Sequence, residues 1–245
     1  RDPLVHEGVN YPAGGPAPWD QQYPPWKTCP TYFRCPSDLE TDEVRPRSKS
    51  YGFCIGDTTS GLHYPEAPRG AYAARHCFTM SDFDDGLTHT IGMLELITES
   101  GRKVGGSIAI AGGQLPWAPS LCLTTVDRSG EYYLRDAKRF EEGRGANWVD
   151  GAAAHGLVNT IFPPNGPSCM AKMDAMSDGV YSASSFHVGG CNAAMADGSV
   201  QFFSDGIDTG DLAASPVASV GDESPYGVWG ALGSRSGNEK NRWQQ

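Results

Sequence analysis

Short hydrophobic runs along the chain alternate with clusters of Gly, Pro, Asn and Asp, a pattern typical of many brief strands joined by long loops. Strand-like runs occur at 50–55, 87–99, 107–111, 121–126 and 158–162. The best internal helix prediction is short and covers 134–142. The pattern therefore predicts an α+β fold with antiparallel strands, in one domain spanning 1–245.

The clearest local structure is predicted at 183–204, where two runs flank Asp197-Gly198. Asp-Gly is favoured in two-residue type I′ turns, which need a positive φ. With those two residues as the turn, Met195 faces Val200 across the hairpin. One buried face is then predicted to contain Cys191, Ala193, Met195, Val200 and Phe202.

The same register places His187 near Asp208. An imidazole beside a carboxylate can act as an acid–base pair. Asp197 and Gly198 nevertheless have a sufficient structural role in forming the turn. We therefore interpret His187, Asp197 and Gly198 as a structural motif, with Asp208 as the candidate hydrogen-bond partner of His187.

The two ends of the chain differ from the middle. Residues 1–37 are rich in Pro and aromatic residues and predict an extended arm, pinned to the core by Trp19, Tyr23 and Trp26. Residues 215–245 predict a Ser/Gly-rich tail with one apolar patch around Trp229. Both segments are candidates for contacts between subunits, and packing within the molecule is an equal alternative.

The composition narrows the possible partners. The formal net charge is −10, with 29 acidic against 19 basic residues. An acidic surface repels phosphate backbones and anionic lipid, so nucleic-acid binding is not expected. No apolar stretch is long enough to cross a bilayer.

The seven cysteines contain no CxxC pair, which argues against zinc ribbons and thioredoxin-like motifs. Scattered cysteines in an acidic, Gly/Pro-rich chain favour an oxidising compartment, although several could be buried thiols. Chain order and strand placement suggest three disulfides but do not fix their connectivity. The candidate pairs are Cys29–Cys35, Cys54–Cys77 and Cys169–Cys191, with Cys122 unpaired and buried.

Two acidic loops are candidate calcium sites, since calcium prefers several closely spaced oxygen ligands. Neither loop has EF-hand spacing, and solvated turns are the favoured alternative. The residues concerned are Asp82, Asp84 and Asp85 in the first loop, and Asp205, Asp208 and Asp211 in the second.

No catalytic motif is present: the sequence has no HExxH, no GxSxG and no Gly-rich phosphate loop. We therefore expect a protein that is not an enzyme. A secreted hydrolase using paired carboxylates such as Asp84 and Glu95 is a weaker alternative.

Several segments, in order, resemble one family, the pilin-like proteins abundant in planctomycete bacteria. The main resemblance is His187, nine residues, then Asp197-Gly198, within SFHVGGCNAAMADGSVQFFSDGID. Further segments that resemble the family are CPSD, SYGFCIGD, DGLTHTIGMLE, NWVDGAAAHGLVNTIFPPNGPSC and SPYGVWGALGSRSGNE. The departures from the family pattern are Leu87, His89 and extra cysteines.

The resemblance implies a pilin-like globular head whose hydrophobic N-terminal helix and prepilin peptide precede Arg1. It implies export by a bacterium to the cell surface or outside. There, the head would be a structural subunit of a filament or a type II secretion-like assembly. Expected partners are further copies or other pilin-like subunits, and the inner membrane through the helix. The alternative is an extracellular module that binds a solute or polysaccharide, which exposed aromatic residues in a groove would favour.

Overall fold

The computed structural model describes residues 4–38, 46–98 and 101–239. Its strands are β1 Leu4–His6, β2 Val9–Tyr11, β3 Tyr51–Cys54, β4 Ile91–Glu95, β5 Ile108–Ile110, β6 Arg139–Phe140, β7 Leu157–Val158, β8 Cys169–Met170, β9 Gly179–Val180, β10 Gly190–Met195 and β11 Val200–Ser204. The α-helices are α1 Ala153–Gly156 and α2 Gly227–Gly233. Short 3-10 helices cover Pro24–Trp26, Thr31–Phe33, Met80–Asp82, Leu87–His89 and Pro119–Thr125.

The larger sheet has five strands in the order β11-β10-β4-β3-β7. Its pairs are antiparallel except for β3 and β7, which run parallel. A second sheet has the order β6-β5-β8-β9, and β1 pairs with β2 in a separate hairpin. The fold is therefore mixed, with several antiparallel or mixed sheets and few helices. Within the described ranges, the helices are all too short to cross a bilayer.

The inner face of the five-stranded sheet forms a hydrophobic core under α2. Leu94 and Ala193 are paired across β4 and β10, and both are buried against Trp229 of α2. A register shift between Ala194 and Met195 inserts an extra residue in β4. This bulge lets Ile91 reach the same core as Leu94, although strict alternation would place them on opposite faces.

The outer face of the same sheet is apolar but open. Side chains alternate along a strand, so the residues between the core positions point to this face. Those in the middle of the sheet are Phe53, Met93, Ala194 and Val200. Phe53 and Val200 are exposed, and Val200 leaves 69% of its surface in solvent.

The second sheet has a core of its own. A disulfide joins Cys122, in the 3-10 helix Pro119–Thr125, to Cys169 of β8, and both cysteines are fully buried. Buried Tyr133 packs in the same cluster, and its hydroxyl donates to the Ser168 carbonyl at 2.7 Å. The bridge therefore fastens a helical segment to a short strand inside this core.

The strand predictions at 50–55 and 107–111 are confirmed as β3 and β5, and 87–99 contains β4. The strand predicted at 121–126 is wrong, because Pro119 begins a 3-10 helix there. The helix predicted at 134–142 is also wrong. Leu134 donates its amide to Thr125 and the chain then enters β6, so pairing with distant segments overrides a weak local helix preference.

The arm contains the β1–β2 hairpin in addition to extended chain. Tyr23 is buried, and the ring of Trp26 lies 5.7 Å from that of Trp148 outside the arm, as the pinning prediction requires. Trp19 is exposed and does not pin the arm. Trp229 has no exposed surface and packs within the molecule, which is the alternative considered for the apolar patch of the tail.

Candidate functional site

Three side chains from distant parts of the chain meet at one end of the outer face. Cys35 lies just after the 3-10 helix Thr31–Phe33, Glu95 is the last residue of β4, and His187 lies in the loop before β10. His187 Nε2 is 3.2 Å from Glu95 Oε1 and 3.7 Å from Cys35 Sγ. We refer to these three residues as the Cys–Glu–His cluster.

Asn192 of β10 holds the Glu95 carboxylate in place. Its backbone amide donates to Oε2 at 2.7 Å, and its side-chain amide donates to Oε1 at 3.2 Å. The Glu95 side chain is only 6% exposed, whereas that of His187 is 32% exposed. A carboxylate fixed this way presents Oε1 to His187 without losing the hydrogen bonds that compensate its burial.

The cluster does not have the geometry of a nucleophilic triad. In such triads one ring nitrogen of histidine faces the nucleophile and the other faces the carboxylate. Here Nε2 of His187 faces both Cys35 and Glu95. The sulfur, nitrogen and oxygen atoms therefore converge on a shared region, which suits ligation or hydrogen bonding better than a proton relay.

An open trough begins beside the cluster and follows the outer face. Its first section has a volume of about 600 Å³ and is bounded by Tyr32, Tyr51, Glu95 and Val200. A second section of about 540 Å³ shares Met93 and Ala194 with the first and continues past Tyr72 and Cys77. The cluster thus lies at the end of a largely apolar trough.

The partner predicted for His187 is wrong. Asp208 lies beside α2, where its backbone carbonyl accepts from the amide of Trp229 and its Oδ1 accepts from Gly210. His187 instead meets Glu95 and Cys35. Because these residues lie 92 and 152 positions away in sequence, local spacing gave no sign of the contact.

Asp197 and Gly198 form a turn, as predicted, but the loop has three residues. Gly198 donates to Met195 O, Met195 donates to Ser199 O, and Gly198 has a φ of 87°. This is a type I turn closed by a glycine bulge. Asp197 Oδ1 accepts hydrogen bonds from the hydroxyl and amide of Ser199, and these bonds lower the Asp197 pKa.

The longer loop shifts the hairpin register, so Ala194 pairs with Val200 and Asn192 with Phe202. Val200 and Phe202 therefore lie on the outer face, and the prediction that they share the buried face is wrong. Cys191, Ala193 and Met195 are buried, as predicted. A shift of one residue moves every side chain of a strand to the other face.

The three predicted disulfides are not formed. Cys169 bonds to Cys122, while Cys35, Cys54, Cys77 and Cys191 are thiols. Burial raises the pKa of Cys54 to about 12 and also raises that of Cys191, which keeps both protonated. Cys29 is buried and its thiol donates to the Pro30 carbonyl. Chain order suggested the wrong pairs because β8 pairs in parallel with β5, which contacts the Pro119–Thr125 helix and so brings Cys169 close to Cys122.

The acidic loops serve turns and caps. Five of their carboxylates accept a hydrogen bond from another residue. The acceptor and donor pairs are Asp82 and Thr79, Asp85 and Gly237, Asp205 and Asn165, Asp208 and Gly210, and Asp211 and Ala213. Across residues 4–38, 46–98 and 101–239, one group of three His, Cys, Asp or Glu has all its ligand atoms within 4.8 Å, and it is the Cys–Glu–His cluster. Neither acidic loop, including Asp84, forms such a group.

The sequence did not predict that Cys35 and Glu95 lie beside His187. Cys35 was considered only for a disulfide, and Glu95 only as a partner of Asp84. The available signal was that Cys35, Glu95 and His187 each lie in a different segment of the recognised resemblance: CPSD, the end of DGLTHTIGMLE, and the segment containing His187. The fold brings these three segments together.

The fold and site define a mixed α/β protein with a Cys–Glu–His cluster at the end of an open sheet face. The chain belongs to the family described as Protein of unknown function (DUF1559), which matches residues 4–210. No curated protein matches the chain. No solved structure matches it either.

Proposed function

We propose that this chain is the head of an exported, pilin-like structural subunit, as its resemblance to planctomycete pilin-like proteins implies. Its place would be a cell-surface filament or a secretion-type assembly. The observation that carries the proposal is the open apolar outer face of the five-stranded sheet. Soluble monomers rarely leave a large continuous apolar surface uncovered, and such surfaces commonly mark interaction sites.

The occupant we assign to this face is an apolar helix, such as the one that the resemblance places before Arg1. Phe53, Met93, Ala194 and Val200 supply a row of apolar side chains across four paired strands. The two trough sections over this row share Met93 and Ala194. A helix laid along the row would bury its apolar side against them, as a helix packs in a hydrophobic groove.

The test expresses the chain with its natural upstream sequence in the source bacterium and measures how much sediments with sheared surface material. We expect wild type in the pellet and Val200→Asp in the soluble fraction, because a carboxylate on the outer face opposes burial. The matched control is Met173→Asp, since Met173 is similarly exposed, at 62%, outside the trough. A soluble wild type, or normal assembly of Val200→Asp, would contradict the proposal.

One observation favours the alternative of a solute- or polysaccharide-binding module. Tyr32 is 76% exposed at the rim of the first trough section, and its ring lies 4.7 Å from that of Phe33. Exposed aromatic rings beside polar groups are suited to holding sugar rings. Glycan-array binding that is lost in Tyr32→Ala and kept in Tyr64→Ala would support this alternative, since Tyr64 is also exposed, at 64%, but lies outside that section.

A further inference from the structure

We propose that Cys35, Glu95 and His187 bind a zinc ion, with one coordination position left for water or a ligand. This inference concerns the Cys–Glu–His cluster alone and does not depend on assembly through the outer face. The three ligand atoms are one sulfur, one nitrogen and one oxygen, all within 4.8 Å of one another. Thiolate, imidazole and carboxylate are the ligands that zinc takes in proteins.

Two of the three distances between ligand atoms agree with a common metal centre, and the third, from the Cys35 sulfur to a Glu95 carboxylate oxygen, is within 4.8 Å. Zinc bonds of about 2.3 Å to sulfur and about 2.0–2.2 Å to nitrogen or oxygen, at tetrahedral angles, place S and N about 3.6 Å apart and N and O about 3.4 Å apart. The structure has 3.7 Å between Cys35 Sγ and His187 Nε2, and 3.2 Å between His187 Nε2 and Glu95 Oε1.

A simple His–Glu ion pair explains less of the arrangement. Such a pair gives Nε2 of His187 one partner, Glu95 Oε1, and needs no sulfur beside the same nitrogen. Cys35 nevertheless places its sulfur there, across 152 residues of sequence. A metal ion bonded to all three atoms would account for their convergence, because zinc takes sulfur, nitrogen and oxygen ligands around one centre.

The surroundings resemble the supporting layer of a metal site. Ligating carboxylates are usually held by further hydrogen bonds, which fix their orientation. Asn192 supplies two, one to each oxygen of Glu95. Glu95 and Asn192 lie on the adjacent strands β4 and β10, so the sheet itself fixes part of the site.

The donor set selects the class of metal. Calcium and magnesium take oxygen ligands, whereas a mixed sulfur, nitrogen and oxygen set favours zinc among the common ions. Three protein ligands leave the fourth tetrahedral position open. Glu95 also borders the first trough section, so a molecule lying in that section could reach the metal.

The test uses the full 245-residue chain with the Cys122–Cys169 disulfide intact, strips it with a chelator, and titrates it with Co²⁺ and then Zn²⁺. We expect one Co²⁺ per chain, with the visible bands of tetrahedral cobalt and a thiolate-to-cobalt charge-transfer band that Zn²⁺ abolishes. Calorimetry should give one Zn²⁺ per chain. Cys35→Ser and His187→Gln should each weaken zinc binding by about 100-fold or more, and Asn192→Ala by roughly 10-fold or more.

His76 and Cys77 provide the matched control, because they are adjacent, accessible and outside the cluster. Cys77→Ser and His76→Gln should bind zinc as wild type does. Circular dichroism and melting of the metal-free variants would show that each is folded. Absence of stoichiometric binding, unchanged binding by folded Cys35→Ser, or loss of binding in Cys77→Ser would overturn the proposal.

Discussion

The two faces of the five-stranded sheet are built from alternate residues of the same strands, yet they differ in almost every respect. On the inner face, Leu94 and Ala193 are buried under Trp229. On the outer face, Met93 and Val200 border an open trough with the Cys–Glu–His cluster at its end. The comparison indicates that the inner face stabilises the fold, while the outer face is available for binding.

The largest expected effect on stability comes from removing the Trp229 side chain, which packs against the inner face. Trp229→Ala should lower the free energy of unfolding by about 3–5 kcal/mol, because it leaves a cavity beneath the sheet. Thermal or denaturant unfolding measures this loss. Trp117→Ala is the control, since 63% of Trp117 is exposed, and it should change stability far less. Equal losses of stability in the two variants would contradict the view that buried Trp229 stabilises the fold more than exposed Trp117 does.

Removing the disulfide tests whether buried groups of the second sheet also stabilise the fold. Replacing Cys122 and Cys169 together by Ala should destabilise the protein by about 2–4 kcal/mol, because the bridge closes a loop across 47 residues. Cys77→Ala, at an exposed thiol, should have little effect on the melting temperature. A melting temperature unchanged by the double replacement would show that the bridge adds no stability.

A smaller effect on stability is expected from the buried side chain of Glu239. Its carboxylate accepts a hydrogen bond from the backbone amide of Ser224. Burial raises the Glu239 pKa from 4.5 to about 7. The folded state therefore favours the protonated form of Glu239. The stability that the fold gains with Glu239 protonated is complete below about pH 4.5 and is lost as the pH rises to about 7.

Glu239→Gln, which stays neutral and keeps an acceptor, should flatten that part of the stability profile. Melting temperatures measured every half unit from pH 4 to 8 would detect the change. Glu131→Gln, at an exposed carboxylate, should leave the slope as it is in wild type. A wild-type slope in Glu239→Gln would assign the pH dependence to other groups.

The smallest effect on stability is expected on the outer face. Val200→Ser should change the free energy of unfolding by less than about 0.5 kcal/mol, because its side chain is already in solvent. Ala193→Ser, one strand away on the inner face, should cost more, because it buries a hydroxyl in the core. Chemical unfolding of the two variants side by side makes the comparison. A greater loss in Val200→Ser would show that the outer face is part of the core.

The sequence predicted β3, β4 and β5, because their apolar runs are bounded by turn residues. It missed the open face because of one turn: a two-residue loop was predicted, and the three-residue loop at Asp197-Gly198 moves Val200 and Phe202 outward. The cluster was out of reach for a different reason. Cys35 and His187 are separated by 152 residues, and only the folded sheet places them together.

Labelling of Cys77 tests most directly that the outer face is the binding face. This exposed thiol borders the trough, and the labelling rate can be followed peptide by peptide by mass spectrometry. We predict rapid reaction with a maleimide in the isolated chain and strong protection in the proposed assembly, with full reaction in both after denaturation. Equal rates in the isolated and native forms would contradict the account, because they would show that nothing covers this face.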